Sequence, residues 1–262
     1  SDGIPCCDYS AVQDVYEHWI SKDILTYIRI ALGSRERMDF LRIINKPLRY
    51  ITRSYITQPA DINALKRSCE RNEQMSEQVE KLASDINMIR NMSPFAAVNY
   101  IRKGIGYDEY IRNYISDTLK CVFEKYGFKP LQTPLLCYYD LLALKYDEEN
   151  DILKEVYKVS DQGNRNLALR YDLTVPFAKY IAINQNTKLP FKRYEIGEVF
   201  RNGPVKLGRD REFIQCDVDS VGIEGQLVEA ELIALYVEAY SKLGIDVVIK
   251  YNNRKFLSGI II

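Results

Sequence analysis

The chain has 262 residues, of which 47% are hydrophobic, enough to bury the core of one large domain or two modest ones. Its 36 Lys and Arg side chains equal its 36 Asp and Glu side chains, and this balance holds on each side of Tyr110. Neither half therefore has the net charge of a nucleic-acid-binding tail, so binding partners have to be argued from local features.

Six cysteines and a single histidine, His18, restrict the metal and redox chemistry open to the chain. The cysteines form no CxxC pair, so we expect neither a zinc site nor a disulfide framework and predict no metal ligand. A lone histidine beside Trp19 is typical of a packed or surface side chain rather than a catalytic one. No apolar run approaches the about 20 residues of a membrane span, and the amino terminus lacks a signal sequence. We therefore expect a cytoplasmic protein with no membrane partner.

The first 110 residues show helical periodicity and no strand-like alternation. Apolar residues recur at helical spacing up to Gly33, where a helix commonly stops, and a second short helix is expected before Pro47. The run from 62 to 92 is charged with a helical apolar stripe, and Ser93 with Pro94 is typical of a new helix start. The sequence therefore predicts an all-α amino-terminal segment.

One local charge bias interrupts this segment between Arg35 and Arg53, where basic residues outnumber acidic ones. Such a patch is able to contact nucleic-acid phosphates, and the candidate contacts are Arg42, Lys46 and Arg49. A solvated helix face is the alternative, and charge alone favours it.

Two stretches of this segment resemble a known protein family. The resemblance rests on YEHWISKDILTYIRIALGSRERMDFLRIINKPLRYITRSYI and FAAVNYIRKGIGYDEY, which look like parts of the 2B subdomain of UvrD/Rep-type superfamily 1 DNA helicases. That subdomain contacts duplex DNA and regulates unwinding, while the ATP site lies in other domains. The resemblance implies a non-motor DNA-binding or regulatory module over residues 1–110, with duplex DNA as its partner.

Residues 111–262 mix helix and strand signals and are expected to form an α+β unit, a sheet with flanking helices. The hairpin at its centre has strand-favouring arms on either side of a loop from Asn202 to Gly208. The other expected elements are a helix ending near Gly127, extended chain over 128–136, strands over 153–159 and 167–171 around a turn at 161–164, a helix over 174–184, a helix ending at Gly244, and a strand over 247–251.

The two faces of this hairpin differ in chemistry because successive side chains of a strand face opposite sides. The return arm places Ile214, Cys216 and Val218 on one face. The other face is rich in arginine, amide, carboxylate and aromatic groups, and Gly197 within it leaves room for something other than protein to approach the backbone. Such a floor suits a nucleotide and an amino acid, although a solvated sheet face would also alternate. Its residues are Arg193, Glu195, Gly197, Arg201, Arg211, Phe213, Gln215, Asp217 and Asp219.

The hairpin also carries a second family resemblance. It rests on FKRYEIGEVFR with GRDREFIQCDVD, on LALRYDLTVPFAKYIA before it, and on YGFKPLQTPLL, which resemble motif 2, the histidine-contacting segment and motif 1 of the class II histidyl-tRNA synthetases. The resemblance implies an antiparallel catalytic sheet, ATP and Mg²⁺ as cofactors, histidine and tRNA as substrates, and a homodimer near Pro134.

Roles carry over from the family position by position. Arg201 would hold the α-phosphate and the substrate carboxylate as the catalytic residue, Arg209 would contact the outer phosphates, and Phe213 would stack on adenine. Histidine would be surrounded by the remaining candidates, Asp172, Thr174, Gln215 and Asp219.

Two considerations qualify this interpretation. The family's motif 3 and anticodon-binding domain would follow residue 259, so we expect weak ATP or histidine binding and no complete aminoacylation by these residues. A non-catalytic synthetase paralogue that regulates histidine biosynthesis is the alternative, which the set of Arg201, Arg209, Phe213 and Gln215 disfavours.

Overall fold

The computed structural model describes residues 16–143, 151–206 and 208–252. Contacts within the chain divide it into two compact units between Tyr114 and Ile115, compared with the boundary expected between residues 110 and 111. We call them the helical unit and the hairpin unit. Helices together with small sheets make the described part α+β, so the predicted fold class is confirmed. No helix in the described ranges combines the length and apolar character needed to cross a membrane.

The helical unit has no strand among its described residues, as expected. Gly33, with φ of +106°, follows the first helix, and the Ser93 hydroxyl accepts from Ala96 N at the start of another. The run from 62 to 92 forms two helices, and Asn72 caps the second of them by accepting from Met75 N. Its elements are α1 (Trp19–Ala31), α2 (Arg37–Ile43), a 3₁₀ turn (Arg53–Tyr55), α3 (Ile62–Cys69), α4 (Glu73–Arg90), α5 (Pro94–Asn99), a π-helical turn (Tyr100–Gly104) and α6 (Tyr107–Lys125), which runs on into the hairpin unit.

A fully buried carboxylate, Asp23 of α1, lies in the interior of the helical unit. Its two oxygens accept hydrogen bonds from Arg42 Nε, Lys46 Nζ and the Tyr107 hydroxyl, each at 2.7 Å. Burial and the bond to Asp23 raise the pKa of the Tyr107 hydroxyl, which stays protonated and keeps donating. A buried carboxylate is tolerated only when its charge and lone pairs are matched, so this cluster ties α1 to the chain after α2 and to the start of α6.

The described residues of the hairpin unit form two three-stranded sheets. In the first, β1 pairs parallel with β5, which pairs antiparallel with β6; in the second, β4 lies between β2 and β3 with both pairings antiparallel. The strands are β1 (Lys129–Pro130), β2 (Leu136–Tyr138), β3 (Lys158–Ser160), β4 (Asn166–Leu169), β5 (Phe191–Phe200) and β6 (Glu212–Val221). The helices are α7 (Tyr139–Ala143), α8 (Asp151–Lys154), α9 (Thr174–Ile183) and α10 (Leu227–Leu243).

The hairpin of β5 and β6 forms as predicted, and Tyr194, Ile196 and Val218 of its even-numbered face pack into the core, whereas Ile214 is 48% exposed. Tyr194 and Val218 are directly paired across the hairpin and contact a cluster that includes Phe123 of α6 and Leu235 of α10. Burying these apolar side chains against two helices fixes the register of the hairpin, because a shift of one strand by one residue would move all its side chains to the opposite face.

Two expected strands differ from the structure. Residues 247–251 form no strand. The segment from 153 begins at the end of α8, so only Lys158 and Val159 of the predicted 153–159 strand lie in a sheet, as part of β3. The expected turn is present, with Asn164 at φ of +51°.

We predict that Asp23→Asn destabilises the helical unit by about 3 kcal/mol, because it removes the charge that balances Arg42 and Lys46. The only tryptophan, Trp19, lies in this unit, so urea unfolding followed by its fluorescence measures the change. The control is Glu80→Gln, which breaks the ion pair between Glu80 and Lys66 at 2.6 Å. The Glu80 side chain is 60% exposed, so this variant should lower the free energy of unfolding by less than about 1 kcal/mol. Equal losses in the two variants would contradict the prediction.

Candidate active site

The odd-numbered residues of β5 and β6 share one face of the hairpin. The strand register pairs Arg193 with Asp219, Glu195 with Asp217, Gly197 with Gln215, and Val199 with Phe213. Directly opposed residues of an antiparallel pair point to the same side, so the predicted grouping of Phe213 and Gln215 on one floor is confirmed. We call this surface the floor.

The floor is closed at the end where β5 begins. Glu195 is 1% exposed, and its carboxylate lies between the guanidinium groups of Arg193 and Arg170, which are 0% and 3% exposed. The Arg170 Nη1 atom is 2.7 Å from Glu195 Oε1, and the Thr133 backbone N–H and hydroxyl also donate to this carboxylate. Charges this deeply buried are matched, so this end of the floor is packed protein.

Gly197 does not provide the open backbone that the sequence suggested. The Arg170 guanidinium lies directly over it, so closely that an added Cβ would collide with Arg170 Nη2. Arg170 is fixed there by bonds to the carbonyl oxygens of Glu198 and Thr133, both at 2.7 Å. The glycine therefore admits a buried arginine of the same chain, and this part of the prediction was wrong.

Asp219 lies at the closed end of the floor, directly opposite Arg193. Its Oδ2 is 2.8 Å from Arg193 Nη2, and the side chain retains 23% exposure. Burial raises the pKa of the Asp219 carboxyl above its usual value, Asp217 also raises it, and Arg193 acts in the opposite direction. Arg193 thus holds one oxygen of the Asp219 side chain, while part of that side chain stays exposed.

The open end of the floor is organised around Arg201, just after β5. Its guanidinium carbon lies 4.5 Å from the centre of the Tyr171 ring and 4.9 Å from that of Phe213. The same group donates to Gln215 Oε1 at 3.2 Å and to the Tyr171 carbonyl at 3.3 Å. Arg201 thus contacts both Phe213 and Gln215, and all three are only half-buried, which leaves them accessible to a ligand.

A polar chain continues from Gln215 toward α9. The Gln215 amide donates to both oxygens of Asp217 at 3.0 Å, and the Thr174 hydroxyl lies 3.5 Å from Asp217 Oδ2. Asp172 accepts from Val175 N at 2.9 Å and so also stabilises the first turn of α9. The structure therefore brings Thr174 and Gln215 together through Asp217, a residue that the family pattern had not selected.

A cavity of ≈ 320 Å³ opens between the floor and the hairpin loop. Arg209 is 52% exposed at its edge, and its Nη2 is 3.4 Å from Glu155 Oε1. The cavity has the size of a small-ligand site. Its lining residues are Arg201, Gly203, Pro204, Gly208, Arg209, Asp210 and Phe213.

Two residues of this region escaped the sequence analysis as site candidates, Tyr171 and Glu155. Tyr171 follows β4, and its ring covers Arg201; Glu155 follows α8 and contacts Arg209. Tyr171 could have been found, because it lies between Arg170 and the candidate Asp172. Glu155 carries no local signal, since its partner is 54 residues away.

The three basic candidates of the helical unit have internal partners. Arg42 and Lys46 bind Asp23, as described above, and Arg49 is 5% exposed and donates to the Tyr27 hydroxyl at 2.9 Å. These contacts give each cation a structural role. Their binding of nucleic-acid phosphates stays a prediction, as does the helicase resemblance.

Comparisons with known proteins agree with the geometry of the hairpin unit. Residues 108–261 match the family model described as histidyl-tRNA synthetase. Histidine–tRNA ligase 1 of Bacillus cereus is 56% identical over 154 residues, which are 59% of this chain and 35% of that protein. The histidine–tRNA ligase of Cytophaga hutchinsonii is 41% identical over 172 residues, covering 57% of this chain and 38% of that protein.

A solved structure supports the same relation. The crystal structure of histidyl-tRNA synthetase from Nostoc sp. PCC 7120 aligns with a TM-score of 0.51 and 37% identity, over 58% of this chain and 35% of that one. The hairpin unit, in which an antiparallel hairpin is flanked by one parallel strand and has an arginine-rich floor, is thus similar to the core of a class II synthetase. The chain belongs to the histidyl-tRNA synthetase family, and it spans about a third of the length of the relatives it matches.

We predict that Glu195→Gln destabilises the hairpin unit by about 3–5 kcal/mol, because two buried guanidinium groups would lose their shared counter-charge. Amide hydrogen exchange of peptides from β5 measures the local free energy of opening. Glu198→Gln is the matched control, an exposed acid on the opposite face of the same strand, and it should change that free energy by less than about 0.5 kcal/mol. An unchanged exchange rate in Glu195→Gln would show that the buried charges do not hold the floor together.

Proposed function

We propose that the floor binds ATP and histidine, and that the full-length protein joins them as histidyl-adenylate before transfer to tRNA. Membership of the histidyl-tRNA synthetase family supports this. The proposal depends mainly on the contact of Arg201 with both Phe213 and Gln215. One cation then lies beside the ring proposed to stack on adenine and the amide proposed to bind histidine.

The reaction needs positioning and charge neutralisation rather than a covalent nucleophile on the protein. A carboxylate oxygen of histidine attacks the α-phosphorus of ATP, a new P–O bond forms, and the bond to the leaving pyrophosphate breaks in line with it. Two anions must approach each other, so a fixed cation beside both lowers the barrier. Arg201 is proposed for this role, because its guanidinium is held by the Gln215 amide and two aromatic rings.

The remaining roles follow from position. Arg209, at the edge of the cavity, is proposed to contact the outer phosphates, and the Phe213 ring to stack on adenine. Gln215, Asp172, Thr174 and Asp219 are proposed to surround histidine. Asp219 suits the cationic α-amino group, because Arg193 holds it in place while part of it stays exposed.

Family membership implies that Mg²⁺ accompanies ATP. Among the described residues, no group of three His, Cys, Asp or Glu side chains is arranged to hold a metal ion. The residues therefore do not fit a metal site built by the protein, and we derive no step through the ion.

The proposal includes the homodimer that the family resemblance implies. Leu135, Leu136 and Tyr138 follow Pro134 and are 43%, 49% and 49% exposed, an apolar patch that a second hairpin unit would cover. We expect sedimentation to give twice the chain mass of 30.5 kDa, and Leu136→Asp to give a monomer. Val248→Asp, at another exposed apolar position (61%), should remain dimeric. A monomeric wild-type chain would remove this part of the proposal.

The test of function is a calorimetric titration of ATP and histidine. We expect weak binding of both, and we expect Phe213→Ala to weaken ATP binding by about 5- to 100-fold, because base–aromatic stacking contributes about 1–3 kcal/mol. Ile214→Ala is the matched control, since the adjacent side chain points to the opposite face, and it should bind ATP like the wild type. Absence of ATP binding to the wild-type chain, or equal losses in both variants, would overturn the proposed site.

A further inference from the structure

Glu155 contacts the proposed nucleotide site at three points although it lies outside the hairpin. Its backbone carbonyl accepts from Asn202 N, in the hairpin loop, at 2.7 Å. Its carboxylate accepts from the Tyr171 hydroxyl at 3.1 Å through Oε2 and lies 3.4 Å from Arg209 Nη2 through Oε1. One residue thus joins the loop backbone to two side chains beside the cavity.

The loop is shaped to admit this carboxylate. Gly203 is buried against Glu155, and a Cβ built on it would lie 3.1 Å from Glu155 Oε1. Only 24% of the Glu155 side chain is exposed, whereas its partner Arg209 is 52% exposed. The carboxylate is therefore enclosed by its surroundings, and the arginine is the more exposed member of the pair.

The contact with Tyr171 extends this effect to the second arginine. The Tyr171 ring faces the Arg201 guanidinium at 4.5 Å, and its hydroxyl is held by Glu155. Glu155 is consequently linked to both arginines proposed to meet phosphate, to Arg209 directly and to Arg201 through an oriented ring.

We propose that Glu155 is a positioning residue that holds Arg209 at the cavity through a carboxylate that triphosphate oxygens replace when ATP binds. The inference rests on the proposed function. Carboxylate and phosphate oxygens compete for the same guanidinium donors, so binding the outer phosphates requires Arg209 to leave Glu155. The carboxylate therefore keeps the site ordered before ATP binds and lowers its affinity for the triphosphate, but not for the nucleoside.

The test compares ATP with adenosine in the Glu155→Gln variant of the full chain. The amide still accepts from the Tyr171 hydroxyl but no longer neutralises Arg209, so ATP should bind about two- to fivefold more tightly, the range set by an exposed ion pair. Adenosine affinity should not change, and the gain should shrink in high salt. A purely structural role predicts instead that both ligands bind more weakly.

Two further variants test whether the change in ATP affinity comes from the Glu155–Arg209 ion pair or from the loss of any nearby negative charge. In an Arg209→Ala background, Glu155→Gln should have no effect on ATP affinity, because the competing pair no longer exists. Glu212→Gln, which removes an exposed charge from the first residue of β6, should leave ATP affinity at the wild-type value.

The outcomes distinguish the two proposals. If the wild-type chain binds ATP and adenosine but Glu155→Gln does not tighten ATP, or tightens it equally with Arg209 absent, the positioning role is overturned and the proposed function stands. If the wild-type chain binds neither ligand, both are overturned.

Discussion

The hairpin unit depends on a buried carboxylate held between two buried arginines. Glu195 belongs to β5 in the first sheet, whereas Arg170 follows β4 in the second and reaches across to it. The Arg170 backbone strengthens this link, because its N–H donates to the Leu135 carbonyl at 2.9 Å and its carbonyl accepts from Phe200 N at 3.1 Å. Opposite charges that cannot reach water must stay together, so the two sheets are joined in one relative position.

This constraint divides the floor into a base and an open end. At the base the charges of Arg170 and Arg193 are paired with those of Glu195 and Asp219. At the open end, the partners of Arg201 within the described part of the chain are aromatic faces and neutral oxygens, which do not neutralise its charge. The proposed binding of phosphate and carboxylate would benefit from this separation, since the structural cations would not compete with Arg201.

The sequence predicted the features that depend on local chemistry. Period-two alternation gave the faces of the hairpin, and glycine or serine at helix ends gave several boundaries, because backbone geometry at those positions is decided by one or two residues. It failed where distant charges meet. The bonds of Arg42 and Lys46 to Asp23 were not predicted, because Asp23 precedes them by 19 and 23 residues. Gly197 looked open because the approach of Arg170 depends on how the two sheets meet.

The ten-residue pairing of β5 with β6 has a consequence for how the protein can vary in length. One residue inserted within β6 would rotate the arm, carrying Val218 onto the floor and Asp219 into the apolar core, which no compensation nearby could repair. Residues added between Asn202 and Gly208 would leave every pair in register and alter only the rim of the cavity. The length of the hairpin loop can therefore change while the side chains of the floor keep their spacing.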